Sequence, residues 1–276
     1  MAVRSAAGYR SAVIAPANDL RAAARPGSRI GHRVELHATI GSTNDRARAL
    51  LAEPDGEGVA VVAEEQLEGR GRRGRTWSSP PGVNLLVSIG LRPDLAAPDA
   101  WQLGQAVALA ARSACGSAAP VELKWPNDLV TGDGRKIGGL LVETAVDGDR
   151  LAQAVVGIGL NVNWRRADMP SELAASASSL SELARATVDR TQLLGRLLAA
   201  LELELSGLEA GRSPLDRYRA ACSTLGTTVE VDVGGLLLRG TAVDLDSTGA
   251  LVLRTDNGPV AIASGEVVRA EPAVPA

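Results

Sequence analysis

Four arginines and three glycines fall within the seven residues Gly69-Arg70-Gly71-Arg72-Arg73-Gly74-Arg75, and Thr76-Trp77 follows. Glycine costs roughly 1 kcal/mol relative to alanine inside a helix, so three of them exclude one here. The four guanidinium groups repel one another unless an anion lies among them. Guanidinium forks match phosphate oxygens two at a time, and the glycines let backbone N–H groups approach the same ligand. Trp77 adds a flat face suited to stacking on a ring or a cation. The stretch predicts a loop that orders around a phosphate-bearing aromatic ligand, such as a nucleotide. Read alone, it also allows a nucleic-acid backbone or a solvated linker.

The chain holds 27 arginines but two lysines, Lys124 and Lys136, and no phenylalanine. In a composition so biased, a retained lysine suggests a place that needs an ammonium. Lys124 leads into Trp125-Pro126-Asn127-Asp128, where the proline excludes helix and Asn127 and Asp128 form a turn. Lys136 precedes Ile137-Gly138-Gly139, where backbone can come close to a ligand. Ser42, Thr43 and Asn44 follow Gly41 at the start of a helical pattern, as an N-cap and as a compact polar cluster. Gln66 immediately precedes the arginine loop. Gly157, Gly159 and Asn161 interrupt a buried strand pattern, which marks either a bulge or a close ligand approach. Two cysteines (Cys115, Cys222) and two histidines (His32, His37) assemble no zinc spacing. The cysteines read as buried, reduced thiols of a cytoplasmic protein, and no Ser/His/Asp or Cys/His nucleophile arrangement is present.

These residues sit on a mixed pattern of strands and helices. Strands are expected over 33–36, 59–63, 84–91, 121–125, 138–144 and 154–162, and helices over 44–53, 101–115, 178–187, 191–208 and 214–222. After residue 225 four or five short strands, over 229–233, 236–245, 250–255 and 260–263, are separated by Gly-rich turns and predict a small barrel. Domain bounds follow as 1–33 for a partly ordered N-terminal extension, 34–223 for a main domain and 224–276 for the barrel. No run of about 18 apolar residues occurs, so nothing is expected to span a membrane, and no secretory signal pattern opens the chain.

In order along the chain, four pieces resemble the motifs of biotin protein ligases, over roughly residues 35 to 270. They are Gly41-Ser42-Thr43-Asn44; the Gly69–Trp77 run continuing through Ser79-Pro80, Gly82 and Asn84-Leu85; Lys124–Asp128 with Lys136–Gly139 and Glu143; and Gly157-Ile158-Gly159-Leu160-Asn161-Val162-Asn163. The resemblance implies an α+β fold, with a mixed central sheet and flanking helices like a class II synthetase, plus a C-terminal SH3-like barrel. It implies ATP-dependent activation of biotin as biotinyl-5′-adenylate, then transfer to a lysine of biotin carboxyl carrier protein. Ser42, Thr43, Asn44, Gln66, Gly69, Arg70, Gly71, Arg72, Lys124, Gly139, Gly157 and Gly159 would bind biotin. Arg70, Arg72, Arg73, Trp77, Lys124 and Asn161 would bind ATP or the adenylate. Lys124 and Arg72 would be catalytic, their charge offsetting the repulsion between a carboxylate and the phosphate it attacks. Mg²⁺ would enter on the ATP phosphates, with no side-chain metal cluster.

A lipoate–protein ligase would share fold and adenylation logic, but its signature lacks the Gly-Arg-Gly-Arg loop. A nucleic-acid-binding module would put that loop on a phosphate backbone. Against this stand a net charge of −3 and an aromatic content of 2%, with no spread basic face. Family members that also repress transcription carry an N-terminal winged helix-turn-helix. The roughly 35 residues before the first motif are too few for such a domain, so DNA binding is not expected. The sheet strands could pair across a homodimer.

Overall fold

The computed structural model describes residues 19–272. A seven-stranded mixed sheet forms its centre, with strand order β1-β2-β3-β7-β6-β5-β4. The strands are β1 (Val34–Ile40), β2 (Ala60–Gln66), β3 (Leu85–Leu91), β4 (Glu122–Lys124), β5 (Asp128–Val130), β6 (Lys136–Asp147) and β7 (Arg150–Leu160). Only β1 and β2 run parallel, and every other pairing in this sheet is antiparallel.

One face is covered by helices α2 (Ala100–Gly116) and α5 (Arg190–Glu209), which pack on each other. Leu193, Leu194, Leu197, Leu198, Leu201, Leu205 and Leu208 give α5 its buried stripe, at the three- and four-residue spacing of a helix. Asp189 caps it by accepting from the Thr191 and Gln192 amides. The opposite face carries α1 (Thr43–Leu50), whose Ala47 and Leu50 pack with Leu51, Val59, Val61 and Val155 in a second, smaller core. A central strand covered on both faces need not alternate apolar and polar residues. That is why all seven residues of β3 are buried. Gly90 is needed on this strand, because a Cβ there would lie 2.7 Å from the Ala47 carbonyl oxygen of α1.

Between β7 and α5 come two short helices, α3 (Ser171–Ala174) and α4 (Leu180–Ala184), and α6 (Leu215–Ala221) follows α5. A five-stranded antiparallel sheet then closes the chain as the SH3-like unit. It consists of β8 (Thr227–Val233), β9 (Leu236–Leu245), β10 (Leu251–Thr255), β11 (Gly258–Ile262) and β12 (Glu266–Pro272), in the order β11-β10-β9-β8-β12. Val229, Val231, Leu251, Leu253 and Val267 fill it. It abuts the first domain where Trp125 Nε1 donates to the Gly249 carbonyl at 3.4 Å.

The segment 19–33, expected to be a partly ordered extension, is built into the fold. Leu20, Ala23 and Ile30 join the main core, and Arg25 and Arg29 pair with Glu202 and Glu209 of α5. The remainder of that extension, residues 1–18, lies outside the described residues. Strands β5 and β12 were not among the expected ones. Among the described residues no helix is long and apolar enough to cross a membrane.

Both thiols are buried, and burial pushes Cys115 up to about 12 and raises Cys222 as well. Native protein treated with iodoacetamide at pH 8 should therefore stay unmodified by mass spectrometry, and gain two adducts once denatured. Rapid labelling of the native form would contradict this burial.

Candidate active site

A cavity of about 450 Å³ opens over the α1 face of the central sheet. Its floor is glycine. Gly159 pairs with Gly139 across β6–β7, and Gly157 pairs with Leu141 on β6 and with Ser88 on β3. A Cβ on Gly157 would stand 2.3 Å from Asn44 Oδ1, and one on Gly159 would stand 2.6 Å from the Trp77 ring. Real side chains never come so near, so the strand pattern is broken because other groups lie flat on the backbone.

One end of the cavity is a chain of short hydrogen bonds. Thr43 donates its amide to Gln66 Oε1 at 2.8 Å, and its hydroxyl meets Ser88 Oγ at 2.7 Å. Ser88 donates to Asn44 Oδ1 at 2.6 Å, and Asn44 Nδ2 donates to Glu143 at 2.6 Å. Ser42 is the N-cap of α1, yet its side chain makes no capping hydrogen bond. The Ser-Thr-Asn run therefore starts a helix by position while its hydroxyl and amide groups serve the cavity.

The other end is cationic and aromatic. Lys136, at the start of β6, pairs with Asp128 at 2.6 Å and lies 5.6 Å from the centroid of the Trp77 ring. The buried Trp77 Nε1 has no hydrogen-bond partner among the described residues. Asn161 is fixed by donating to the Ser178 carbonyl, and Asn84 ties it to the loop by bonding Asn161, Ser79 and the Val162 amide. Buried Arg190 in turn holds the Asn84 carbonyl and grips Glu64 at 2.7 Å and 3.0 Å. An apolar annex of Trp164, Met169 and Ala177 adjoins this end.

The arginine loop forms the remaining wall. Gly71 N donates to the Arg75 carbonyl and Trp77 N to the Gly69 carbonyl, so the loop closes on itself over a tight turn in which Arg75 N donates to the Arg72 carbonyl. Arg70 makes a two-pronged pair with Asp45 at 2.8 Å and 2.5 Å, and that pairing holds the Asp45 carboxyl below its usual range. Burial lowers the affinity of Arg72 for its proton, and its guanidinium reaches Asn127 Oδ1 at 3.2 Å. An arginine remains charged despite such a shift.

Of the residues expected to bind ligand, Ser42, Thr43, Asn44, Gln66, Arg70, Gly71, Arg72, Trp77, Gly139, Gly157, Gly159 and Asn161 all line this one cavity. Three do not. Gly69 sits where the two ends of the loop meet, and a Cβ there would strike the Trp77 carbonyl at 2.3 Å. Arg73 turns outward to Asp232 of the second sheet. Lys124 lies on β4, opposite Asp128 and outside the cavity lining, and burial is the largest cause of its lowered proton affinity. The lysine that lines the cavity is Lys136. Sequence reasoning also passed over Ser88, although a lone serine inside the apolar run Leu85–Leu91 was a signal.

Residues 36–161 match the model of the biotin/lipoate A/B protein ligase family, and residues 224–269 match that of the biotin protein ligase C-terminal domain. The chain is 34% identical over 245 residues to a biotin–[acetyl-CoA-carboxylase] ligase of Mycobacterium tuberculosis, covering 86% of this chain and 88% of that one. It is 31% identical over 242 residues to the bifunctional ligase/repressor BirA of Bacillus subtilis, covering 86% of this chain and 74% of that protein. Among solved structures, the biotin protein ligase of Aquifex aeolicus in complex with biotin and ATP superposes with a TM-score of 0.72. It is 29% identical, covering 87% of this chain and 99% of that one.

Proposed function

The chain belongs to the biotin/lipoate A/B protein ligase family, and we propose that it is an ATP-dependent biotin protein ligase acting on biotin carboxyl carrier protein. The observation that carries this reading is the two-ended cavity over a glycine floor. From Gly157 to Asn161 the strand advances about 13 Å, at roughly 3.3 Å per residue. That length suits a small bicyclic head at the hydrogen-bonding end and a carboxylate at the cationic end. A ureido group has one acceptor and two N–H donors. The Gln66–Thr43–Ser88–Asn44–Glu143 chain offers two hydroxyls, two amides and a carboxylate to meet them. The dithiolane of lipoate has no such groups, which favours biotin.

In the first step the biotin carboxylate attacks the α-phosphorus of ATP, a P–O bond forms, and pyrophosphate leaves. In the second, the ε-amine of a carrier lysine attacks the acyl carbon of the mixed anhydride, loses a proton, and AMP leaves. The role assigned to Lys124 from the motif is better filled by Lys136, with Arg72 on the wall of the same cavity. Both line the cavity where a carboxylate and a phosphate would meet, and both offset the charge gathered in that transition state. Trp77 and the apolar annex suit the nucleobase, and the loop shields the anhydride from water. Mg²⁺ would be carried by the triphosphate, neutralising its charge. Among the described residues no three His, Cys, Asp or Glu side chains converge to hold a metal. A cytoplasmic location fits this carrier partner, and a homodimer remains part of the proposal through the exposed edge of the sheet.

Incubation with biotin, MgATP and an apo carrier domain should add one biotin mass to the carrier, and lipoate in place of biotin should add nothing. Lipoylation without biotinylation would reverse the assignment.

A further inference from the structure

Three of the loop's arginines are paired with the C-terminal sheet. Arg73 lies 3.2 Å from the Asp232 carboxylate and donates to the Asp232 carbonyl at 3.2 Å. Arg75 pairs with Glu266 at 2.6 Å, and Arg72 reaches the Gly265 carbonyl at 3.4 Å and Ser264 Oγ at 3.3 Å. Asp232 and Glu266 face each other in the β8–β12 register. Like charges directly opposite across two strands destabilise a sheet, and clustered arginines destabilise a loop. Each set is the counter-charge of the other.

The geometry separates two tasks. Arg70, Arg72 and Arg75 line the cavity, whereas Arg73 does not. Arg73 has a left-handed backbone, φ 57° and ψ 35°, which an L-residue adopts at a cost. That conformation turns its guanidinium out of the loop onto Asp232. Asp232 is itself held rigid, since it accepts the Gly235 amide at 2.7 Å within the β8–β9 turn.

We propose that Asp232 is a positioning residue for nucleotide binding: by pinning Arg73 it fixes the tip of the 69–77 loop, so that Arg72 and Arg75 face the cavity before ATP arrives. This rests on the reading of the chain as an ATP-dependent ligase. A loop ordered in advance costs less to order when the ligand binds, so the effect belongs to ATP affinity. At saturating ATP the phosphates themselves order the loop, and turnover is untouched.

The experiment compares wild type, Asp232→Asn, Arg73→Gln and the double variant by steady-state carrier biotinylation, and wild type with Asp232→Asn by limited trypsin cleavage within residues 70–75. Asp232→Asn should raise KM for ATP by about two- to fivefold, the scale of a partly exposed ion pair, with kcat and KM for biotin unchanged. It should also speed tryptic cleavage of the ligand-free loop, and adding it to Arg73→Gln should raise KM for ATP no further than Arg73→Gln alone. An unchanged KM for ATP and unchanged cleavage in Asp232→Asn would overturn the proposal. So would a double variant whose KM exceeds that of Arg73→Gln by the full Asp232→Asn factor, since Asp232 would then act other than through Arg73. If wild type biotinylates nothing, the reading as a ligase fails, while the trypsin comparison still decides whether Asp232 holds the loop.

Discussion

Lys136→Ala is expected to slow adenylate formation by about 10²–10³-fold, the usual cost of removing one charge-stabilising contact from a transition state. Lys124→Ala should cost roughly tenfold or less, because a charge outside the cavity lining acts through longer-range, partly screened electrostatics. Lys136 is half-buried, paired with Asp128 and set against Trp77 at the end of the cavity where the carboxylate would lie. Lys124 faces the same Asp128 from the neighbouring strand but does not line the cavity. Single-turnover release of pyrophosphate from ATP and biotin, followed for both variants, separates the two lysines. A larger loss in Lys124→Ala than in Lys136→Ala would return the role to Lys124. Circular dichroism of each variant checks that the sheet survives.

Gly157→Ala is expected to raise KM for biotin by about 10- to 100-fold, from the 1–3 kcal/mol that overpacking a tight site typically costs. The new methyl would stand 2.3 Å from Asn44 Oδ1. Asn44 cannot swing clear, because Ser88 and Glu143 hold it at 2.6 Å each. Moving it would break the hydrogen-bonded chain proposed to meet the ligand's head group. Isothermal titration with biotin alone reads the loss of affinity as a Kd, without turnover. An affinity equal to wild type would mean that the glycine serves strand packing and not the ligand.

The two lysines show how far the residues alone could carry the argument. Rarity marked both as candidates, and both precede polar or glycine-rich turns. Which one faces the ligand depends on the β4–β5–β6 pairing, where Asp128 lies between Lys124 on one side and Gly139, close to Lys136, on the other. Register of that kind is a property of three strands together, and one-dimensional spacing carries no record of it. Ser88 illustrates the same limit. Its polar side chain in an apolar strand could be noticed, but its meeting with Thr43 and Asn44 needed α1 to be laid across β3.

Local chemistry was determined by the sequence itself. Glycine and arginine content dictated a non-helical, cationic loop, the leucine spacing dictated α5, and the change to short strands after residue 225 dictated a separate small sheet. Each of those follows from interactions among near neighbours, which composition and period encode directly. The tertiary structure decided which groups share a cavity, which lysine enters it, and that Arg73 pairs with Asp232 of the second sheet. Those contacts join residues as much as 159 positions apart. They are set by how the sheets and helices bury their apolar faces against one another, and only the folded chain brings their charges within reach.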